Sequence, residues 1–183
     1  MEKFNEKKSR NLEFLRFIEP YVSDTNFEYI KGCGSWLEFY ADETIEKKKL
    51  KHANFCHNRF CPFCNWRKSR RRALELSIML KYLKEEGYEF IFLTLTAPNV
   101  RGEYLEDEIK NYSSAFKRLM LRTEVKKAVK GYARKLEITY SKRRRDFHPH
   151  YHVILAVRAS YFTDSRIYIT RDLSLIHISE PTR

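Results

Sequence analysis

Hydrophobic positions along this chain recur at two spacings, and the switch between them marks out its elements. Residues Asn11 to Ile18 suggest a short helix, and Ser35 to Tyr40, "SWLEFY", a short strand. From Trp66 to Glu86 the apolar residues Ala73, Leu76, Leu80 and Leu83 fall on one helical stripe, with Gly87 placed as its stop. "YEFIFLTLT", Tyr88 to Thr96, is rich in aromatic and β-branched side chains and predicts a strand, which Pro98, Asn99 and Gly102 then break. Helical spacing returns at Leu105, Ile109, Tyr112, Phe116 and Leu119. Tyr104 to Leu121 is therefore expected to be an amphipathic helix lying on a sheet, with Tyr112 in the core. A basic helical piece near Glu124 to Lys130 precedes Gly131, which opens a strand from Tyr132 to Tyr140. A basic loop then leads into a further strand, Phe147 to Val157.

These last two strands predict an antiparallel hairpin. If it is symmetric about Arg143 and Arg144, Glu137 stands opposite His150, although Pro149 could move the register by a residue. Successive side chains of a strand point to opposite faces, so in "FHPHYHVIL" the imidazoles of His148, His150 and His152 share one face while Tyr151, Val153 and Leu155 take the other. Glu137 alternates away from Leu136 and Ile138, which brings a carboxylate beside the histidines. The pattern allows a metal site and equally a half-exposed strand with solvated histidines.

The cysteines make a second candidate, spaced Cys33-x22-Cys56-x4-Cys61-x2-Cys64. Four thiolates with a closing C-x2-C suit a closed tetrahedral zinc site in a reducing compartment. A redox reading of Cys61-Pro62-Phe63-Cys64 is the rival, but it leaves Cys33 and Cys56 unused. His52 and His57 are each able to replace a cysteine as ligand. Zinc would tie the region from Cys33 to Cys64 to the base of the long helix.

Charge narrows the class of partner. The chain of 183 residues carries a formal charge of +12, and its basic residues cluster at Arg67, Lys68, Arg70, Arg71 and Arg72, at Lys126 and Lys127, and at Lys142, Arg143, Arg144 and Arg145. Several runs of one sign in a chain that is 15% aromatic favour a polyanion, with nucleic acid ahead of a generic basic surface. The run Arg67 to Arg72 leaves the cysteine module as a candidate clamp on DNA backbone. No apolar run approaches the roughly 20 residues of a membrane helix, and the N-terminus has no apolar signal segment, so a cytoplasmic protein with no membrane partner is expected.

At this point a resemblance becomes specific. Two histidines flanking a hydrophobic residue, His150-Tyr151-His152, followed by Val153-Ile154-Leu155, resemble the second motif of rolling-circle plasmid replication initiators of the HUH endonuclease class. Phe92-Leu93-Thr94-Leu95-Thr96 resembles their first motif, and "NRFCPFCNWRKS" is similar to their N-terminal signature. The likeness runs from about Cys33 to Asp172. It implies an α+β fold: an antiparallel sheet of ferredoxin-like type covered by helices, with an N-terminal four-cysteine zinc module. Residues 1–32 would form an arm, 33–70 the zinc module and 71–172 the endonuclease core.

The resemblance also implies a single-strand endonuclease acting at a plasmid origin. A divalent ion, Mn2+ or Mg2+, polarises the scissile phosphate, and a tyrosine attacks it to leave a 5′-phosphotyrosine and a free 3′-hydroxyl. His150 and His152 are the expected ligands, Glu137 the preferred third and His148 its alternative, with Thr94 and Thr96 lining the floor of the site or simply packing in the strand. Origin DNA, single-stranded or in a hairpin, is the expected partner, and a homodimer at the origin is compatible. Two other readings stay open: a related HUH transposase or relaxase, and a zinc-stabilised DNA-binding regulator without catalysis.

The nucleophile departs from the family pattern. The tyrosine is expected on a helix after the histidine motif, whereas Tyr161 and Tyr168 fall in a strand or loop region and Tyr151 points away from the metal face. The last residues, "LSLIHISEPTR", match the translation of a sequencing-library adapter. Leu173 to Arg183 are therefore expected to be non-native, and the natural frame is expected to continue past Asp172 and to supply the tyrosine.

Overall fold

The fold is described from a computed structural model, which covers residues 2–167 and 169. Tyr168 and the adapter-like segment Leu173 to Arg183 lie outside the described residues. The chain divides into two compact units, Met1–Met79 and Leu80–Arg183. The fold is α+β with antiparallel sheets.

The first unit holds helices α1 (Glu2–Ile18) and α2 (Asp24–Gly32), an antiparallel pair β1 (Leu37–Ala41) and β2 (Lys48–Ala53), and the start of α3 (Pro62–Glu85). Helix α1 begins at Glu2, well before the expected Asn11 start. Its residues Leu15 and Ile18 share one buried cluster with Ile30, Cys33, Cys61 and Phe63, so α1 and α2 pack with the cysteine region. Helix α2, absent from the hydrophobic pattern, is capped by Ser23, whose hydroxyl accepts from the Asn26 amide. Strand β2 is also a finding, since "KKLKHA" has no apolar alternation and forms by pairing with β1.

Phe63 is wholly buried and organises this small core. It stacks on Trp66 at 6.0 Å and meets Phe4 and Phe55 edge-on at 5.8 and 5.5 Å, and full burial of such a ring contributes about 2–3 kcal/mol. Gly34 makes room for it. The backbone there is left-handed, at φ 68°, and a Cβ would come within 2.1 Å of the Phe63 ring.

The second unit is a three-stranded antiparallel sheet in the order β3-β5-β4, where β3 is Tyr88–Thr96, β4 Val129–Ser141 and β5 Asp146–Arg158. Gly87, at φ 80°, ends α3 as expected, its amide donating to the Lys84 carbonyl. Helix α4 (Leu105–Leu121) covers one face of the sheet. Tyr112, Phe116 and Leu119 are buried in one cluster with Leu95, Tyr151, Val153, Leu155 and Val157. The apolar stripe read from the sequence is the core stripe, and Tyr112 is 3% exposed. Helix α5 (Thr123–Ala128) is shorter than the basic piece expected, because Val129 and Lys130 already belong to β4.

The β4–β5 hairpin has the register that symmetry about Arg143 and Arg144 dictates. Glu137 pairs with His150 and Ile138 with Pro149, so the buried proline causes no slip. On the other side of β5, Thr94 pairs with His152 and Thr96 with His150. Because each pairing keeps the face, one side of the sheet carries Thr94, Thr96, His148, His150, His152, Lys135, Glu137 and Thr139. The other side carries the residues that α4 covers.

Candidate metal centres

Three side chains converge on the face of the sheet opposite α4. One ligand atom each from Glu137, His150 and His152 lies within 4.8 Å of the others. Glu137 Oε2 is 3.4 Å from His152 Nε2, and the two rings are 4.9 Å apart and perpendicular. The His150 side chain is buried, that of His152 half-buried and that of Glu137 exposed, so the set opens to solvent on the Glu137 side.

The outer nitrogens of both imidazoles are occupied. His152 Nδ1 lies 3.4 Å from Thr94 Oγ1, and His150 Nδ1 lies 3.3 Å from the His148 carbonyl oxygen. An Nδ1–H donated to each acceptor leaves both Nε2 lone pairs free, the tautomer a metal ligand needs, and that of His152 faces Glu137. Two imidazoles and one carboxylate fit a divalent ion that retains open positions. His148 stands apart from this convergent set, its ring 5.3 Å from that of His150. The sequence reading missed two features here: Lys135, which the register places beside His152 on the same face, and Phe92, whose ring stacks on His152 at 5.7 Å.

The four cysteines meet in the first unit. Ligand atoms of Cys33, Cys56, Cys61 and Cys64 all lie within 4.8 Å of one another. The Cys64 sulfur is 3.4 Å from that of Cys33 and 3.7 Å from that of Cys56. A tetrahedron with Zn–S bonds near 2.3 Å has edges of about 3.8 Å, so this donor set fits zinc. Hydrogen bonds from Cys33 and then Cys61 hold the Cys64 sulfur down to about 2, as a thiolate. Contact with Cys33 and then Cys64, followed by burial, pushes Cys61 up. Four sulfurs this close cannot all ionise without a cation among them. His52 pairs with Glu38 on the β1–β2 ribbon, and neither it nor His57 joins the cluster. Asn11, fully buried on α1, bonds both the Cys61 sulfur and the Ile30 carbonyl.

The basic residues separate by environment. The Arg67 guanidinium lies 3.5 Å from the centroid of Phe55, and burial draws it down against the pull of the Cys64 and Cys33 sulfurs. With His57, Arg59, Lys68 and Arg71 it lines a cationic cleft beside Cys64. Lys68, Arg70, Arg71 and Arg72 are exposed, and Arg71 pairs with Glu75 at 2.8 Å. Lys142, Arg143, Arg144 and Arg145 stand exposed on the hairpin loop, where Arg144 pairs with Asp146 at 3.0 Å.

The described tyrosines near the histidine motif are committed elsewhere. Tyr151 is buried on the α4 side with its hydroxyl 2.7 Å from Ser113 Oγ. Tyr161, also buried, accepts a hydrogen bond from the Ile169 amide. Burial pushes the Tyr112 hydroxyl up to about 12. Among the described residues no helix is long and apolar enough to cross a membrane.

Comparison with known proteins places the chain in a family. The family described as "Replication protein" matches residues 47–173. A "Protein rep" of Staphylococcus aureus is 52% identical over 172 residues, covering 93% of this chain and 75% of the relative. Proteins of the same name from Streptococcus pneumoniae and a Bacillus species are each 38% identical, over 80% and 78% of this chain. The chain spans three quarters of the first relative and about half of the other two. No solved structure matches. The chain belongs to the replication protein family.

Proposed function

We propose that this protein initiates rolling-circle replication of a plasmid, binding single-stranded origin DNA and taking part in its nicking at the Glu137–His150–His152 centre. The convergence of these three side chains on the face of the sheet left open by α4 carries the reading. Bound there, Mn2+ or Mg2+ would supply Lewis-acid polarisation of a phosphodiester. His150 and His152 contribute neutral nitrogens, Glu137 a charge that raises affinity for a cation, and Thr94 fixes the His152 ring. Lys135, on the same face, offers a cation to the charge developing on phosphate oxygens. The cysteine module holds structural zinc and presents basic residues to the DNA backbone.

The proposed reaction needs a tyrosine whose oxygen attacks phosphorus while the 3′-oxygen leaves, conserving the phosphodiester bond in the enzyme–DNA link. Tyr112, Tyr151 and Tyr161 are unsuited, being buried. The test incubates the protein with Mn2+ and a labelled single-stranded origin oligonucleotide, followed by a denaturing gel. Mn2+ should strengthen binding of the oligonucleotide, and a covalent adduct would report nicking and, by mapping of the linked peptide, its tyrosine. Oligonucleotide binding that is the same with and without Mn2+ would contradict the proposed centre. The rival reading as a DNA-binding regulator predicts origin binding that is indifferent to Mn2+.

A further inference from the structure

Phe92 is 66% exposed although it sits in the middle of a strand whose other face is core. It pairs with Ile154, which in turn pairs with Ala133, so a short apolar row crosses the open face of the sheet. The next row along is Thr94, His152 and Lys135, and the one beyond it Thr96, His150 and Glu137. One face of the Phe92 ring lies against His152, at 5.7 Å and 17°.

This order, a flat aromatic beside cationic and metal-ligating side chains, matches the two halves of a nucleotide. A phosphate attracted to Lys135 and the metal cluster is accompanied by a base that must leave water or lie on something flat. Residues two apart on a strand are separated by about 6.7 Å, within reach of a phosphate and its own base. A chain of net charge +12 favours a polyanionic occupant over an apolar peptide.

We infer that Phe92 is a stacking platform for a base of single-stranded DNA next to the phosphate held at the Glu137–His150–His152 centre. The inference rests on the proposed nuclease reading and adds to it a positioning residue. Stacking is tolerant of base identity because every base has a π face, so Phe92 would fix the nucleotide's place on the sheet and leave sequence choice to other contacts.

The test compares full-chain wild type, Phe92→Ala and Phe92→Trp, with Mn2+ present. The probes are a labelled oligothymidylate of about 12 nucleotides, within the ~4–16 that single-strand binding folds cover, and an abasic strand with the same number of phosphates. Phe92→Ala should weaken oligothymidylate binding roughly 5- to 150-fold and leave abasic binding unchanged, while Phe92→Trp should retain affinity and show quenching of its indole emission by the bases. Equal affinity of wild type and Phe92→Ala for oligothymidylate overturns the inference. So does an equal loss on both strands accompanied by loss of manganese, which would make Phe92 a support for His152 alone. Failure of the nuclease reading has a different signature: manganese titrations unchanged by His150→Ala and His152→Ala.

Discussion

Thr94 Oγ1 lies 3.4 Å from His152 Nδ1, across the pairing of β3 with β5. This contact leaves His152 Nε2 facing Glu137 and turns a strand threonine into part of the candidate metal centre. Loss of such an outer partner lowers metal affinity by about 10–100-fold. Thr94→Val, which keeps the shape and removes the hydroxyl, should weaken manganese binding by that factor while changing stability by no more than about 0.5 kcal/mol, because Thr94 is exposed, and Thr94→Ser should retain it. Calorimetric titration of the three proteins decides the point. Equal affinities would make Thr94 a packing residue.

The ligands themselves should rank in a definite order. His150→Ala and His152→Ala should each abolish manganese binding and leave zinc content and circular dichroism unchanged, because the hairpin pairs without them. Glu137→Ala should weaken binding more than His148→Ala, since His148 stands outside the convergent set. A more damaging His148→Ala would contradict the ligand assignment.

Zinc should be held at one equivalent per chain by Cys33, Cys56, Cys61 and Cys64, and elemental analysis with thiol titration checks it. Structural zinc in such modules contributes on the order of 10 kcal/mol of apparent folding energy, so chelation should unfold the first unit. Four freely reactive thiols in folded, zinc-replete protein would rule the site out. Gly34→Ala should cost about 3 kcal/mol or more, seen as a lowered chelator or urea midpoint, because its Cβ would enter the Phe63 ring.

DNA affinity should fall steeply with salt, by about 0.7 in log–log slope for each single-strand phosphate neutralised. Lys142→Ala and Arg143→Ala should each reduce the slope. Arg144→Ala should change it less, since Asp146 already engages that guanidinium. Arg67→Ala should speed zinc loss to a chelator more than it alters the slope, because its guanidinium lies beside the cysteine sulfurs. Titrations at several salt concentrations separate these outcomes, and a slope unmoved by Lys142→Ala or Arg143→Ala would remove the hairpin loop from the DNA contact.

Much of the second unit was legible in the chain because its signals are local. The symmetric register about the β4–β5 loop, open in the sequence to a shift at Pro149, is the one observed, and strict alternation then assigns Glu137, His150 and His152 to one face. The stripe through Tyr112, Phe116 and Leu119 marks the helix that covers the other. What escaped depends on pairings between distant segments. The Thr94–His152 bond and the Phe92–His152 stack follow from β3 lying beside β5, and Asn11 reaches Cys61 only once α1 is placed. The expected α3 stripe does not mark a buried face: Ala73 is exposed and Leu76, Leu80 and Leu83 are half-buried, while Leu74, Ile78 and Tyr82 stand more than half exposed. Apolar residues around the whole of that helix give its periodicity little power to choose a face. Ser23 at the start of α2 was a cap signal available in the sequence.

The most direct measurement is a calorimetric manganese titration of zinc-loaded protein, run in parallel on wild type, His152→Ala and Glu137→Ala. A binding event in the wild type, absent in His152→Ala and weakened in Glu137→Ala while all three keep their zinc, is the predicted result. Manganese binding that is absent from the wild type, or that persists undiminished in His152→Ala, would contradict a metal centre on the open face of the sheet.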